Sequence, residues 1–227
     1  MATRFLIAVV ASMAFGAQAG PIVFTSQTSD TVAFAVAGSV ADAHSDTNPP
    51  TALPLVTTAT AVDTNDFATS FALAAPGLLS TFAEADSFPG ALGAFTGAQA
   101  HFNGSFTGAG PIKLDLKYDS LDSLLGGGSS SSQLFVLLSN SAAGTLFNGP
   151  LLPNGLNHLQ FNVLGGISTL DLVLFSDATT TAAGQSGQNF SQVTFGGTIP
   201  LPATPFLVVA GLGAMLAARR KNAKATA

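Results

Sequence analysis

Ile112-Lys113-Leu114-Asp115-Leu116-Lys117-Tyr118 alternates large apolar and charged residues without a break. A period of two puts the apolar side chains on one face of an extended chain and the charges on the other. A helix would spread both sets around its circumference. The stretch therefore predicts a half-buried strand of an antiparallel sheet. The period recurs downstream, where Leu159-Phe161-Val163 alternates with His158-Gln160-Asn162 and Leu170-Leu172-Leu174 follows. Upstream, Val32-Phe34-Val36 alternates with Ala33, Ala35 and Ala37. Phe67, Thr69, Phe71 and Leu73 line one face of another stretch, and Phe102 and Phe106 flank Gly104. Val193-Phe195 closes the set. Turn residues punctuate these runs: Thr47-Asn48-Pro49-Pro50, Pro89-Gly90 and Pro153-Asn154-Gly155. Many short strands so spaced predict one all-β domain over residues 20–198, an antiparallel β-sandwich of jelly-roll-like kind.

Two stretches pull against this pattern. Alanine alone favours a helix, so residues 67–75 are where a helix competes with a strand. The run Gly126-Gly127-Gly128-Ser129-Ser130-Ser131-Ser132 reads as a flexible connection. It lacks the Lys-Ser/Thr ending of a phosphate-binding loop. Eighteen phenylalanines against one tyrosine and no tryptophan predict core filling rather than an aromatic sugar platform.

The ends read differently from the middle. Arg4, an apolar run over 5–15 and Ala17-Gln18-Ala19 form a positive n-region, an h-region and an A-x-A cleavage site. Residues 1–19 are therefore read as a secretory signal peptide, with Ala17 and Ala19 marking its cleavage. The last residues run Ile199-Pro200-Leu201-Pro202-Ala203-Thr204-Pro205, then an uncharged apolar stretch to Ala218, then Arg219-Arg220-Lys221. The prolines fix φ and remove donors, so the approach is extended. The thirteen apolar residues 206–218 would rise only ~20 Å as a helix, short of the ~30 Å hydrocarbon core. They span only if the preceding residues join and the arginines snorkel. A marginal span suits a transient sorting signal.

This tail resembles the C-terminal sorting signals of exosortase substrates, the PEP-CTERM group, and within it the variant named for V-P-L-P-A. Ile199-Pro200-Leu201-Pro202-Ala203 matches that motif with Ile in place of Val. Gly211-Leu212-Gly213 and the basic stop Arg219, Arg220, Lys221 also fit. The resemblance covers the signal alone, roughly the last tenth of the chain. It implies a motif at 199–203, a single transmembrane segment at 204–218 and a basic tail at 219–227. It also implies recognition in the inner membrane by an exosortase-type enzyme, removal of the tail, and delivery to the cell surface or matrix. Leu201-Pro202-Ala203-Thr204-Pro205 resembles the sortase signal L-P-x-T-G as well, but Pro205 stands where that pattern needs Gly. An ordinary membrane anchor is the plainer reading of the same residues.

Charge follows the same division. Twelve acids and only Lys113 and Lys117 lie between the terminal segments, a formal charge of −10 there. Nucleic-acid phosphates need Lys and Arg, so that partner class is excluded. There is no cysteine, so a domain of this size rests on packing alone.

No set of residues reads as catalytic. His44, His101 and His158 are far apart, without metal-ligand spacing, and no serine sits in a G-x-S-x-G elbow. Asp115, Asp119 and Asp122 cluster, and Asp63 and Asp66 flank Thr64-Asn65; calcium wants such oxygens, but neither spacing matches a calcium loop. Turn and solvation roles are the reading preferred for them. Glu84 and Asp86 offer a carboxylate pair for glycoside hydrolysis only if the fold supplies a partner at the right distance. Asn103 and Asn189 fit the N-glycosylation pattern. The sequence thus predicts an exported, non-enzymatic surface or matrix protein without cofactor, structural or adhesive, with extracellular polysaccharide as a further partner. The rivals are a tethered glycan- or calcium-binding module and a secreted hydrolase.

Overall fold

The computed structural model describes residues 19–49, 53–163 and 165–200. Thirteen strands and no helix make up these residues: β1 (Ala19–Pro21), β2 (Ser26–Ala37), β3 (Val40–Asn48), β4 (Leu55–Val62), β5 (Asp66–Ala75), β6 (Leu78–Ser87), β7 (Ala94–Thr107), β8 (Gly110–Leu125), β9 (Ser129–Asn140), β10 (Gly144–Leu151), β11 (Gly155–Val163), β12 (Ile167–Thr180) and β13 (Gln185–Pro200). They form two antiparallel sheets. The first runs β11-β8-β13-β6-β5-β4 with β1 beside β13, and the second β10-β9-β12-β7-β2-β3. The arrangement is a β-sandwich.

The founding alternation behaves as expected. Ile112, Leu114, Leu116 and Tyr118 of β8 are buried while Lys113, Asp115 and Lys117 are exposed. They belong to a large core cluster with Phe102, Phe106, Leu134, Leu138, Leu170, Leu172, Leu174, Val193 and Phe195. Its rings interlock: Phe24 meets Phe102 edge-on at 5.0 Å and Phe106 at 5.8 Å, and Phe102 meets Phe195 at 4.7 Å. Gly104 makes room for this, since a Cβ there would lie 2.5 Å from the Phe24 ring.

At the other end of the sandwich the alternation is inverted. In β2 the alanines Ala33, Ala35 and Ala37 are buried, while Val32, Phe34 and Val36 are only half-buried on the outer face. In β5 Ala68, Ala72 and Ala74 point inward, and Phe67, Phe71 and Leu73 point out. The second core cluster is alanine throughout: Ala33, Ala35, Ala37, Ala59, Ala61, Ala68, Ala83, Ala85, Ala94 and Ala178. Short side chains bring the sheets close enough for Ser70 Oγ on β5 to donate to the Phe34 carbonyl on β2 at 2.9 Å. Phenylalanine therefore fills one end of the core and covers the outer face at the other. Outside, Phe71, Phe82 and Phe190 fall in one cross-strand row. Phe34 lies over Gly97, whose absent Cβ would sit 2.5 Å from the ring.

Between the two clusters runs a belt of hydroxyls. Ser120, Ser191, Thr81, Ala72 and Thr57 share one row of the first sheet. Thr31 and Thr57 meet across the sandwich at 2.6 Å, as do Ser120 and Ser132. Tyr118 donates its hydroxyl to Ser132 at 2.8 Å, and burial raises its pKa above the ordinary tyrosine value.

The first ambiguous stretch resolves as strand throughout, and the second does so in its four serines. Residues 67–75 lie in β5, paired on both sides by β4 and β6, and this pairing overrides alanine's helix propensity. The Gly/Ser run is no long loop. Only Gly126, Gly127 and Gly128 turn, and Ser129–Ser132 begin β9, paired to β12 at Ser176–Thr179.

Candidate functional site

The predicted processing residues fall at the limits of what the structure describes. Ala17, Leu201, Pro202, Ala203, the expected transmembrane segment 204–218 and the expected basic stop Arg219, Arg220 and Lys221 lie outside the described residues. Ala19, Ile199 and Pro200 lie within them as backbone. Ala19 pairs with Pro200, Gly20 with Ile199 and Pro21 with Thr198. Ile22 N–H then donates to the Gly197 carbonyl at 2.9 Å. The predicted signal-peptide cleavage site and the first motif residues thus lie side by side at one end of the first sheet.

The acidic residues that sequence spacing grouped are not gathered by the fold. Asp115 and Asp119 sit on the outer face of β8, beside His158 at 2.6 Å and Lys117 at 2.8 Å. Asp122 falls on the opposite parity and accepts from Asn189 Nδ2 at 2.6 Å and Ser130 Oγ at 2.9 Å. Asp63 accepts from the backbone N–H groups of Ser39 and Thr64, and these bonds hold its pKa below the usual carboxylate value. Asp66 is buried and accepts from Leu92 N–H at 2.8 Å, Gly93 N–H at 3.2 Å and Ser87 Oγ at 2.7 Å. These two acids shape turns, as turn chemistry suggests. Glu84 lies half-buried on the outer face of β6; burial and then the charge of Asp86 raise its pKa, against a hydrogen bond from Gln188. Among the described residues, no group of three or more His, Cys, Asp or Glu is placed to hold a metal ion. Asn189 is fully buried and Asn103 sits mid-strand in β7.

One cluster escaped the sequence reading. His101 on β7 points to the outer face of the second sheet, directly across from Asp30 on β2. Its Nδ1 lies 2.6 Å from Asp30 Oδ1 and its Nε2 3.1 Å from Asp171 Oδ1 on β12. Asn103 Nδ2 donates to the other Asp171 oxygen at 3.0 Å. Bonds to Asp171 first, and Asp30 second, raise the His101 pKa to about 10, and the same contact lowers that of Asp171. The ring is an imidazolium at neutral pH with both N–H groups donated. It has no lone pair to accept a proton or bind a metal. Chemically it is a fixed cation joining three strands. Parity put His101 and Asp171 on outward positions, but only the strand order β12-β7-β2 could reveal that they meet.

No family model matches the chain, and no curated protein matches it. Among solved structures the chain is similar to the infectious bursal disease virus Gt strain, at 11% identity and a TM-score of 0.15, covering 81% of this chain and 67% of that one. The Gx strain of the same virus gives 9% identity and a TM-score of 0.13, covering 82% and 63%. Likenesses this slight carry no argument.

Proposed function

We propose that this chain is an exported bacterial surface or extracellular-matrix protein that does structural or adhesive work and no catalysis. In this reading residues 1–19 direct export, the sandwich is the cargo, and 199–227 form a sorting signal of V-P-L-P-A type with a single transmembrane helix. An exosortase-type enzyme removes that signal at the inner membrane, and extracellular polysaccharide is a further partner. The observation that carries the reading is the order of the tail: prolines 200, 202 and 205, an uncharged run, then Arg219-Arg220-Lys221. The pairing of Gly20 with Ile199 supports it, because both terminal segments then leave the same end of the sandwich and can meet one membrane. The inward use of Asp66 and the mutual pairing of His101, Asp30 and Asp171 support a non-catalytic cargo. Each sheet mixes strands from both halves of the chain, which supports the jelly-roll-like description.

Disrupting the host's exosortase-type enzyme tests this directly. The full chain should then accumulate in the inner-membrane fraction and vanish from the surface. Unchanged surface delivery of a shortened chain in that strain would remove the exosortase from the account.

A further inference from the structure

The two sides of the sandwich are built differently. On one side β3 lies against β4, and β4 also packs on β2. There the Asp42 carboxylate accepts the Thr60 N–H at 2.9 Å, so a charged side chain occupies part of the β4 edge. Asp46 and His44 on β3 add further ionisable groups. On the other side no comparable contact joins β10 to β11. Leu146, Phe147 and Leu151 of β10, with Leu159 and Phe161 of β11, pack on the larger core cluster yet stay only half-buried. These are core side chains along an unclosed seam.

The seam is also free of formal charge: residues 123–170, which contain all of β9, β10 and β11, include no Asp, Glu, Lys or Arg. Edge strands normally carry a charge, a proline or a bulge that blocks pairing with another chain. β10 has two such devices, Pro150 and an irregularity between Thr145 and Phe147. β11 has neither. Its register with β8 is unbroken from Gly155 to Val163, and its one ionisable side chain, His158, is taken up by Asp115. Alternate N–H and C=O groups on its side away from β8, where no strand pairs with it among the described residues, present a regular template for a further strand.

We propose that β11 is a homodimerisation edge, at which a second copy pairs its own β11 antiparallel about a two-fold axis normal to the sheets. That axis keeps inner faces inward, so the seven-stranded sheet continues from one copy into the next. The half-buried Leu159 and Phe161 of each copy then close the seam of the other. Charge selects the occupant: an isologous contact sets each patch against itself, so in a chain this acidic the self-facing edge must be the uncharged one. The inference rests on the fold and stands whether or not the terminal signals are processed. One strand pair about 30 Å long is a small interface, so the dimer should have a roughly micromolar Kd.

Sedimentation of the full-length chain in mild detergent, over a wide concentration range, reads this out. A monomer–dimer equilibrium is expected, and the double variant Leu156→Lys/Gln160→Lys should abolish it, since both positions are exposed on β11. Its circular dichroism and melting should match the parent. Because the chain has no cysteine, Gln160→Cys should form a disulfide-linked dimer on mild oxidation, whereas Thr58→Cys on β4 should not. A chain that stays monomeric throughout would overturn the proposal. So would a dimer that survives the two lysines with the fold intact, or Thr58→Cys cross-linking as readily as Gln160→Cys. If the lysine variant does not fold, the cysteine comparison decides.

Discussion

His101 holds a proton that the fold, not the residue type, keeps there. Its pKa rises to about 10 in the folded chain, from about 6.5 in an unfolded one. A raised pKa stabilises the fold fully below about pH 6.5, and that contribution is lost as pH rises through about 10. The ring is partly open to water, so its worth is about 1–2 kcal/mol rather than the full shift. His101→Gln should therefore lower stability by about that much at pH 7 and flatten the decline between pH 7 and 10. Denaturant melts of both proteins across that range check it; parallel curves would mean the imidazolium does not bind the three strands. Gly104 makes the opposite point, that an absent side chain can matter as much. Gly104→Ala would push a methyl into the Phe24 and Phe102 rings and should cost about 1–3 kcal/mol. Melting gives the answer, with an unchanged midpoint counting against the packing described.

The corner where β5 meets the 88–93 turn depends on one carboxylate. Asp66 accepts two backbone N–H groups and one hydroxyl while almost wholly buried. Asp66→Ala leaves those donors without a partner, and about 2–3 kcal/mol of destabilisation is expected, with faster proteolysis near Phe88–Leu92. Cleavage no faster than in the parent would show that the turn holds by other means. The strands themselves were largely legible, because a period of two needs only local sequence. Which face went inward was legible in β8 and β12 but not in β2 and β5. In β8 the large residues are buried, but in β2 and β5 alanine is, since burial depends on what the opposite sheet offers. The serines 129–132 likewise read as loop until β12 supplied a partner strand.

At the scale of the whole molecule, the expectations for the two chain ends rest on order and composition alone and fall mostly outside the described residues, whereas contacts across sheets needed the fold. Asp115, Asp119 and Asp122 looked like neighbours, yet strand parity turns Asp122 away from the other two. Calcium should accordingly shift the melting midpoint of the chain by less than about 1 °C, since a ligand stabilises only through binding to the folded state. A rise of several degrees would mean that these acids do gather. The pairing of Gly20 with Ile199 and Ala19 with Pro200 also bears on processing. A cut beyond Pro200 leaves β13 whole, and one before Ile199 would shorten it. The most direct measurement is the intact mass of the protein recovered from the surface fraction of its native host. The expected chain begins at Gly20 or Pro21 and ends after Pro200 but before Phe206. A mass that retains residues 206–227 would contradict it and make the tail a plain anchor.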